Sequence, residues 1–234
     1  MMTLRAGQRH LSIPDFGVTT SRRAVQVAAA ADWWTAGGAP TPLAAYQPKG
    51  AASLAASYTN LVTPGTYDTT TATAPTWDAT NGWKFNGTDQ YLENGITPND
   101  GYAALVRFSN VTSDGDCSLF GAEAVAGGDR RFKIQPVRGG VVYYMYGGFL
   151  DVAPALTAGV LGMADHQGYR NGVANGSAVS AWSTPNESAM RIGGKKQGTS
   201  YDYIAAYIQA FVIWDTSTEH ATWMPAVSAA MAAL

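Results

Sequence analysis

Residues 77–95, WDATNGWKFNGTDQYLENG, decide the fold class of this chain. Two short aromatic runs, WKF at 83–85 and QYL at 90–92, flank the turn sequence NGTD at 86–89. An Asn-Gly step between alternating aromatic residues is a strong local signal for a β-hairpin, because both residues tolerate the positive φ that a tight turn requires. We therefore predict a hairpin over residues 83–92 and an all-β protein around it.

The composition of the chain limits the kinds of partner that we expect. Of 234 residues, 46% are hydrophobic and 14% are charged, whereas charged residues make up about a quarter of an ordinary soluble protein. The net charge of -2 gives no electrostatic reason to expect nucleic acid as a partner. The sequence contains neither an apolar run long enough to span a membrane nor the apolar core of a signal peptide. We expect cytoplasmic synthesis, followed by a place on a virion or particle surface if the protein leaves by lysis.

The first 42 residues differ in pattern from the rest and form a basic arm. Ser21 is a potential cap for a helix that begins at Arg22 and Arg23 and ends near residue 35, before a Gly-Gly step. Trp33 and Trp34 lie at the end of this helix. Their rings either pack on the domain that follows or attach the arm to a neighbouring subunit or virion protein.

Residues 43–234 have the pattern of one β domain. Short apolar segments alternate with Gly- and Asn-rich turns, which is typical of an antiparallel two-sheet sandwich. Near the end, Thr216 and Glu219 resemble a capping box, and we predict a helix from Ser228 to Leu234, after Pro225. Lys195 and Lys196, in GGKKQG, are predicted to lie in a solvated turn. The predicted strands cover residues 43–46, 83–85, 90–92, 102–108, 117–121, 131–135, 141–146, 160–163, 167–169, 190–192 and 208–214.

Four of these segments resemble, in the same order, motifs of the concanavalin A-like lectin/glucanase superfamily, in its laminin G-like branch. They are GWKFNGTDQYL at 82–92, GYRNGV at 168–173, MRIGG at 190–194 and YIQAFVIWD at 207–215. The resemblance implies a jelly-roll β-sandwich over residues 43–234. The segments AYQPKGA at 45–51 and GWKFNGTDQYL are also similar to parts of phage and prophage structural proteins. Fold alone does not give function, because one sandwich carries lectins, glycanases and virion parts.

The carboxylates of the sequence do not form the pattern of a glycanase. Such an enzyme needs two carboxyl groups that flank the scissile bond, and none of the four glutamates has a second carboxylate two residues away on the same strand. Asp165-His166 lacks a nucleophile elbow that would complete a hydrolase site. The tyrosines at 143, 144 and 146 could line a concave lyase-type face, or form a half-buried aromatic strand. We expect a protein without enzymatic activity.

Sugar binding fits the composition better than catalysis does. Aromatic rings in Gly-, Ser- and Asn-rich surroundings are candidate platforms for a sugar, and each could instead be ordinary core packing. The resemblance also implies a possible Ca²⁺ site at a loop rim, although its candidates, Asp114, Asp116 and Asp129, could equally be ordinary Asx turns. The candidate ligand-binding residues are Trp77, Trp182, Tyr201, Tyr203 and Tyr144.

We therefore predict a non-enzymatic virion or surface structural protein. Its arm, with Arg22, Arg23, Trp33 and Trp34, would attach to other virion proteins or to further copies of the chain, and its lectin-like sandwich would face cell-surface glycans. The alternative is a free carbohydrate-binding protein or a polysaccharide-cleaving enzyme on the same fold.

Overall fold

The structure is a computed structural model that describes residues 32–124, 131–176, 186–197 and 200–234. The predicted positions Arg22, Arg23, Asp129 and Trp182 lie outside these residues, as does most of the predicted arm helix. Within the described part, two antiparallel sheets pack face to face around one hydrophobic core, and a helix ends the chain. The predicted β-sandwich with a C-terminal helix is confirmed.

The larger sheet contains eight strands. Its central strand, β16, pairs with β5 on one side and with both β3 and β1 on the other, in the order β12-β11-β10-β5-β16-β3-β2. Its strands are β1 (Ala44–Tyr46), β2 (Thr76–Asp78), β3 (Gly82–Asn86), β5 (Ala103–Ser109), β10 (Gly159–Ala164), β11 (Gln167–Arg170), β12 (Val173–Ala174) and β16 (Ala205–Trp214).

The second sheet contains six strands in the order β4-β13-β6-β7-β8-β9. These are β4 (Leu92–Glu93), β6 (Phe120–Glu123), β7 (Arg131–Arg138), β8 (Val141–Tyr146), β9 (Gly148–Val152) and β13 (Arg191–Ile192). A separate hairpin is formed by β14 (Gly194–Gln197) and β15 (Ser200–Tyr203). The helices of the described residues are a 3-10 helix (Trp33–Gly38), α1 (Leu54–Ser57) and α2 (His220–Ala233).

The predicted hairpin over residues 83–92 is wrong, although both of its strand segments are extended. Strand β3 pairs with β2 and β16 in the larger sheet, whereas β4 pairs with β13 in the smaller one. The NGTD segment therefore carries the chain from one sheet to the other. The Asn86 side chain accepts the backbone N–H groups of Thr88 and Asp89 and donates to the Asp89 carboxylate. The same turn chemistry that favours a hairpin here closes an arch between the two sheets.

Strand β16 is buried on both faces, which fits its largely apolar sequence. A bulge between Ile208 and Ala210 shifts the alternation of side chains by one residue. Ile208 and Phe211 therefore face the core between the sheets, whereas Ala210, Val212 and Trp214 face the opposite side. Regular alternation would place Ile208 and Ala210 on one face, and the sequence pattern contains no sign of the bulge that separates them.

Helix α2 covers the outer face of the eight-stranded sheet. Its Trp223 lies against Trp214, with 4.7 Å between the ring centroids. The Arg107 guanidinium donates from β5 to the carbonyl oxygen of Met231, 3.0 Å away near the end of the helix. The helix begins at His220 and contains Pro225, so the predicted start at Ser228 is too late. Glu219 precedes the helix in a left-handed conformation, and no side-chain cap is formed.

Trp33 and Trp34 are buried in the same cluster as α2. Their rings meet edge to face at 5.4 Å, and the Trp33 indole donates to Gln47 at 3.1 Å. These residues therefore pack on the domain that follows, which is one of the two alternatives that their sequence left open. They lie in a 3-10 helix rather than at the end of an α-helix. No helix in the described ranges is long and apolar enough to cross a membrane.

Gly193 is predicted to be a position where any side chain destabilises the sandwich. It has φ +83° at the corner between β13 and β14, and the buried ring of Phe85 occupies the place of a Cβ. Gly95 has a similar φ of +73° but open space around it. We expect Gly193→Ala to lower the free energy of unfolding by about 1–3 kcal/mol more than Gly95→Ala, because only the first overpacks the core. Urea unfolding of the two variants measures this difference, and equal losses would contradict the steric explanation.

Candidate functional site

The outer face of the six-stranded sheet carries a row of residues that includes charged and aromatic side chains. Cross-strand partners share a face of a sheet, so a row of paired residues identifies each side. One row of paired residues faces the core and consists of Leu92, Ile192, Phe120, Ile134 and Tyr144. The adjacent row, which faces outward across all six strands, is Glu93, Arg191, Gly121, Lys133, Met145 and Phe149.

The β14–β15 hairpin lies over the middle of this outer face. A Cβ at Gly121 would lie 2.7 Å from the Cβ of Lys133 and 3.1 Å from the Cβ of Lys195. Gly121 therefore leaves the space into which Lys195 of the hairpin descends. Lys195 is 5% exposed, so the predicted solvated turn at GGKKQG is wrong at this residue: the segment is a strand whose inner face is covered.

Four charged side chains form an ion cluster between the hairpin and the sheet. Glu123 lies 3.0 Å from the Lys133 ammonium and 3.1 Å from that of Lys195. Asp202 lies 3.5 Å and 3.3 Å from the same two groups. All four side chains are between 5% and 9% exposed. Two carboxylates and two ammonium groups thus alternate in a ring, which compensates the cost of removing each charge from water.

The electrostatics of the cluster keep Glu123 ionised. Burial raises the pKa of its carboxyl, but the ammonium groups of Lys133 and Lys195 lower it by more, so the net pKa lies below the ordinary value. Burial, together with the charge of Lys195, lowers the pKa of Lys133. The arrangement is therefore that of a structural ion cluster and not of a general acid, whose pKa must be raised.

An aromatic platform lies at the β8–β9 end of the outer face; we call Phe149, Tyr143 and Arg138 the β9 platform. The Phe149 ring is 60% exposed. It stacks on Tyr143 with 5.5 Å between centroids and an interplanar angle of 25°. The Arg138 guanidinium lies 4.3 Å from the centroid of the Tyr143 ring, a cation–π geometry.

Polar groups border the β9 platform on its β7 side. Arg138 donates to the Gln135 side chain at 3.3 Å, and Gln135 donates to the Asp116 carboxylate at 3.4 Å. Asp151, the cross-strand partner of Tyr143, is exposed on the same face. Burial raises the pKa of the Tyr143 phenol, and the Arg138 charge offsets only part of this, so the hydroxyl is neutral at physiological pH. The platform thus combines an apolar ring surface with hydrogen-bond donors and acceptors.

A second aromatic group, the tyrosine cluster, lies at the other end of the same face. It contains Tyr91, Tyr201, Tyr203 and Arg191. Tyr201 and Tyr203 stack at 6.0 Å, and the Arg191 guanidinium lies 3.6 Å from the Tyr91 centroid and 4.9 Å from that of Tyr201. Arg191 also binds the Glu93 carboxylate at 2.6 Å. Two of the predicted ligand-binding tyrosines are therefore neighbours, and Tyr201 is 44% exposed.

The other predicted platform residues are placed differently. Trp77 is half-buried on β2, where its indole donates to the carbonyl oxygen of Pro48 at 2.8 Å. Tyr144 is a core residue with 2% exposure, and its hydroxyl donates to the carbonyl oxygen of Tyr169 at 3.2 Å. Tyr144 thus has no ring face to offer a ligand. The outward-facing ring of that strand belongs to the neighbouring residue, Tyr143.

Asp114 and Asp116 have partners within the protein. The Asp114 carboxylate accepts the backbone N–H groups of Gly115 and Gly139, at 2.7 Å and 2.9 Å. Asp116 lies 3.5 Å from the Arg138 guanidinium. Among the residues described, no three His, Cys, Asp or Glu side chains come together as metal ligands. The geometry fits the alternative of turn-forming aspartates.

The sequence prediction missed Phe149 because it missed strand β9. The segment GGFLDV at 147–152 contains the signal: Phe149 and Asp151 alternate with Leu150 and Val152. In the structure the first pair is exposed and the second packs against the core. A two-residue alternation next to a Gly-Gly step is sufficient to predict a half-exposed edge strand.

No family model and no curated protein matches this sequence. Solved structures with a similar fold include a Trypanosoma rangeli sialidase in complex with 2,3-difluoro-KDN, with 17% identity over 79% of this chain and 32% of that chain, at a TM-score of 0.52. The fold is also similar to domain 4 of AbnA, a GH43 extracellular arabinanase from Geobacillus stearothermophilus, in complex with arabinotriose. Here the identity is 12% over 82% of this chain and 98% of that chain, at a TM-score of 0.50.

This chain therefore spans about a third of the sialidase and almost the whole of the arabinanase domain. At these identities the likeness supports the sandwich fold alone. Both neighbours are carbohydrate-related proteins, and the laminin G-like assignment remains a prediction.

The ion cluster generates a prediction about stability and pH. We expect Glu123→Gln to lower the free energy of unfolding by about 3 kcal/mol near pH 7, because two buried ammonium groups lose one of their counter-charges. The folded pKa of Glu123 lies below its ordinary value of 4.5. Its stabilising effect is therefore fully present above pH 4.5 and is lost as the pH falls through the folded pKa. Urea unfolding of both proteins across this range measures the effect.

The matched control is Asp116→Asn, which removes a carboxylate that is 68% exposed and paired with Arg138. We expect this substitution to lower the free energy of unfolding by less than about 1 kcal/mol, because exposed ion pairs contribute little to stability. Two results would contradict this account of the cluster. The first is an equal loss of unfolding free energy in both variants, and the second is a loss in Glu123→Gln that does not become smaller at acidic pH.

Proposed function

We propose that this protein binds glycans without cleaving them, and that the β9 platform is its binding site. The observation that carries the proposal is the exposed ring of Phe149, stacked on Tyr143 and bordered by the side chains of Arg138 and Asp116, which the buried Gln135 holds from below. A large exposed apolar ring next to polar groups is a typical mark of a ligand site.

The chemistry of a sugar matches this surface. A sugar ring has an apolar C–H face and a rim of hydroxyl groups, so it pairs with a flat aromatic ring on one side and with donors and acceptors around it. Phe149 supplies the flat ring, Arg138 supplies donors, and Asp151 supplies an acceptor. The few charges of the chain also suit a neutral ligand better than a strongly charged one.

The similar solved structures support this chemistry. Domain 4 of AbnA has a comparable sandwich over 98% of its length, and its structure contains arabinotriose. The sialidase is also a carbohydrate-related protein, although this chain corresponds to only 32% of it. These likenesses favour a role in carbohydrate recognition, which is the alternative to the virion role in our sequence prediction. No observation on the described residues favours the virion role, which stays a prediction.

We infer an absence of turnover from three carboxylates of this face that are paired with cationic groups. Glu93, Glu123 and Asp202 each lie within 3.5 Å of at least one cationic group. A glycosidase requires a carboxylic acid of raised pKa that can protonate the leaving group, whereas the pKa of Glu123 is lowered. We therefore expect no release of reducing sugar from any polysaccharide that the protein binds.

Substitution of the exposed ring tests the site. We expect Phe149→Ala to weaken binding to the best ligand of a glycan array by about tenfold, or ~1.4 kcal/mol, because the sugar loses its stacking surface. Isothermal titration, with arabinotriose included among the ligands, measures the change. The matched control is Val173→Ala, which truncates another exposed apolar side chain, 69% exposed at the edge of the other sheet.

We expect the control to bind as the original chain does, and we expect both variants to unfold at the same urea concentration as that chain. Equal binding by Phe149→Ala and the original chain would move the site away from β9. Failure of the original chain to bind any glycan on the array would refute the proposed function, and release of reducing sugar would refute the absence of catalysis.

A further inference from the structure

We infer that the β14–β15 hairpin acts as a wall that ends the binding surface beside β7 and restricts the site to short glycans or to the ends of longer chains. This inference rests on the proposed function and concerns its specificity. Three features support it: the position of the hairpin, the contacts that hold the hairpin, and the hydrogen-bonding side chains of the sheet that the hairpin covers.

The hairpin begins where the β9 platform stops. Gln135 of β7 lies buried beside the platform as the cross-strand partner of Tyr143, and Lys133, two residues earlier on the same strand and face, belongs to the ion cluster under the hairpin. Three neighbouring strands, β7, β8 and β9, span about 10 Å, because paired strands lie ~4.8 Å apart. Measured across these strands, the described part of the open face is therefore about as wide as a short oligosaccharide is long.

The hairpin is anchored at both of its ends. At its base, the backbone N–H of Ile204 donates to the carbonyl oxygen of Gly193 at 3.2 Å. Near its tip, the Gln197 side chain donates to the carbonyl oxygen of Ala124 at 3.4 Å. Between these contacts, Lys195 and Asp202 contribute two of the four buried charges of the ion cluster. Displacing the hairpin would separate these charges from their partners, so it functions as a fixed wall.

The sheet beneath the hairpin could otherwise continue the binding surface. The outward row from Phe149 to Glu93 crosses all six strands. The hairpin covers Lys133 of this row and Glu123 of the next row. In solvent these side chains would offer hydrogen bonds to further sugar hydroxyls. The hairpin thus excludes a long chain from a face that is otherwise suited to it.

The structure itself suggests the variant that tests the wall. Gly194 and Tyr203 are register partners in the hairpin, so replacing residues 195–202 by Asn-Gly closes a two-residue turn between them. Titrations would use the series from monosaccharide to hexasaccharide of the sugar with the strongest array signal. For the original chain we expect affinity to stop rising at the disaccharide or trisaccharide. For the shortened variant we expect the hexasaccharide to bind at least tenfold more tightly than the disaccharide, with the monosaccharide affinity unchanged.

A second measurement uses the unmodified chain and does not depend on how the variant folds. Titration of the corresponding linear polysaccharide, in fractions of increasing length, gives the number of protein molecules bound per chain. We expect this number to stay constant with length, because only chain ends fit beside the wall.

Two outcomes would overturn the inference: a stoichiometry that grows in proportion to chain length, or a folded shortened variant with the same length dependence as the original. Both differ from failure of the proposed function, in which the original chain binds no member of the series at all.

Discussion

The burial of β16 on both faces is the constraint on which the rest of the molecule depends. One face of this strand fills the core between the sheets, and the other packs under α2 and under the two tryptophans that precede β1. The middle of the eight-stranded sheet is therefore covered on both faces, and its Ala-rich outer face fits a helix more readily than a ligand. Binding chemistry is left to the six-stranded sheet, whose outward row combines charged residues with an exposed aromatic ring.

The parts of the fold that depend on local sequence could be predicted, and the parts that depend on distant partners could not. Strand positions follow from local alternation, so β1, β5, β8, β10 and β16 lie where the sequence indicates. Pairing is different, because β3 finds its partner β16 about 120 residues away and no local signal contains that information. The arch at 86–89 shows the consequence: its Asn-Gly chemistry is compatible with a hairpin, and only the distant partners decide that the chain crosses between sheets.

The residues of the proposed site were mostly missed by the sequence prediction. Tyr201 and Tyr203 do meet on the outer face, but the best-exposed ring, Phe149, lies on a strand that was not predicted. Tyr144 and Tyr143 differ by one position along β8, and that single step turns the ring from the core to the outer face, where Phe149 and Arg138 cover it. Lys195 was predicted to be exposed and is buried. A Gly-Gly-Lys-Lys composition favours a solvated turn, and the counter-charges of Glu123 and Asp202 explain why this lysine is buried instead.

The closure of the β14–β15 hairpin at Gly193 and Ile204 also has a consequence for how such a protein can diverge. Because the two ends of the hairpin are already joined by a backbone hydrogen bond, its length can change during evolution without altering a core residue. Descendants of one ancestral sandwich could thereby recognise different portions of a polymer while sharing the same folding pathway. Such proteins would then keep similar sequences in the core-facing rows and differ most in the β14–β15 hairpin. Sequence comparison would align them least well at this hairpin.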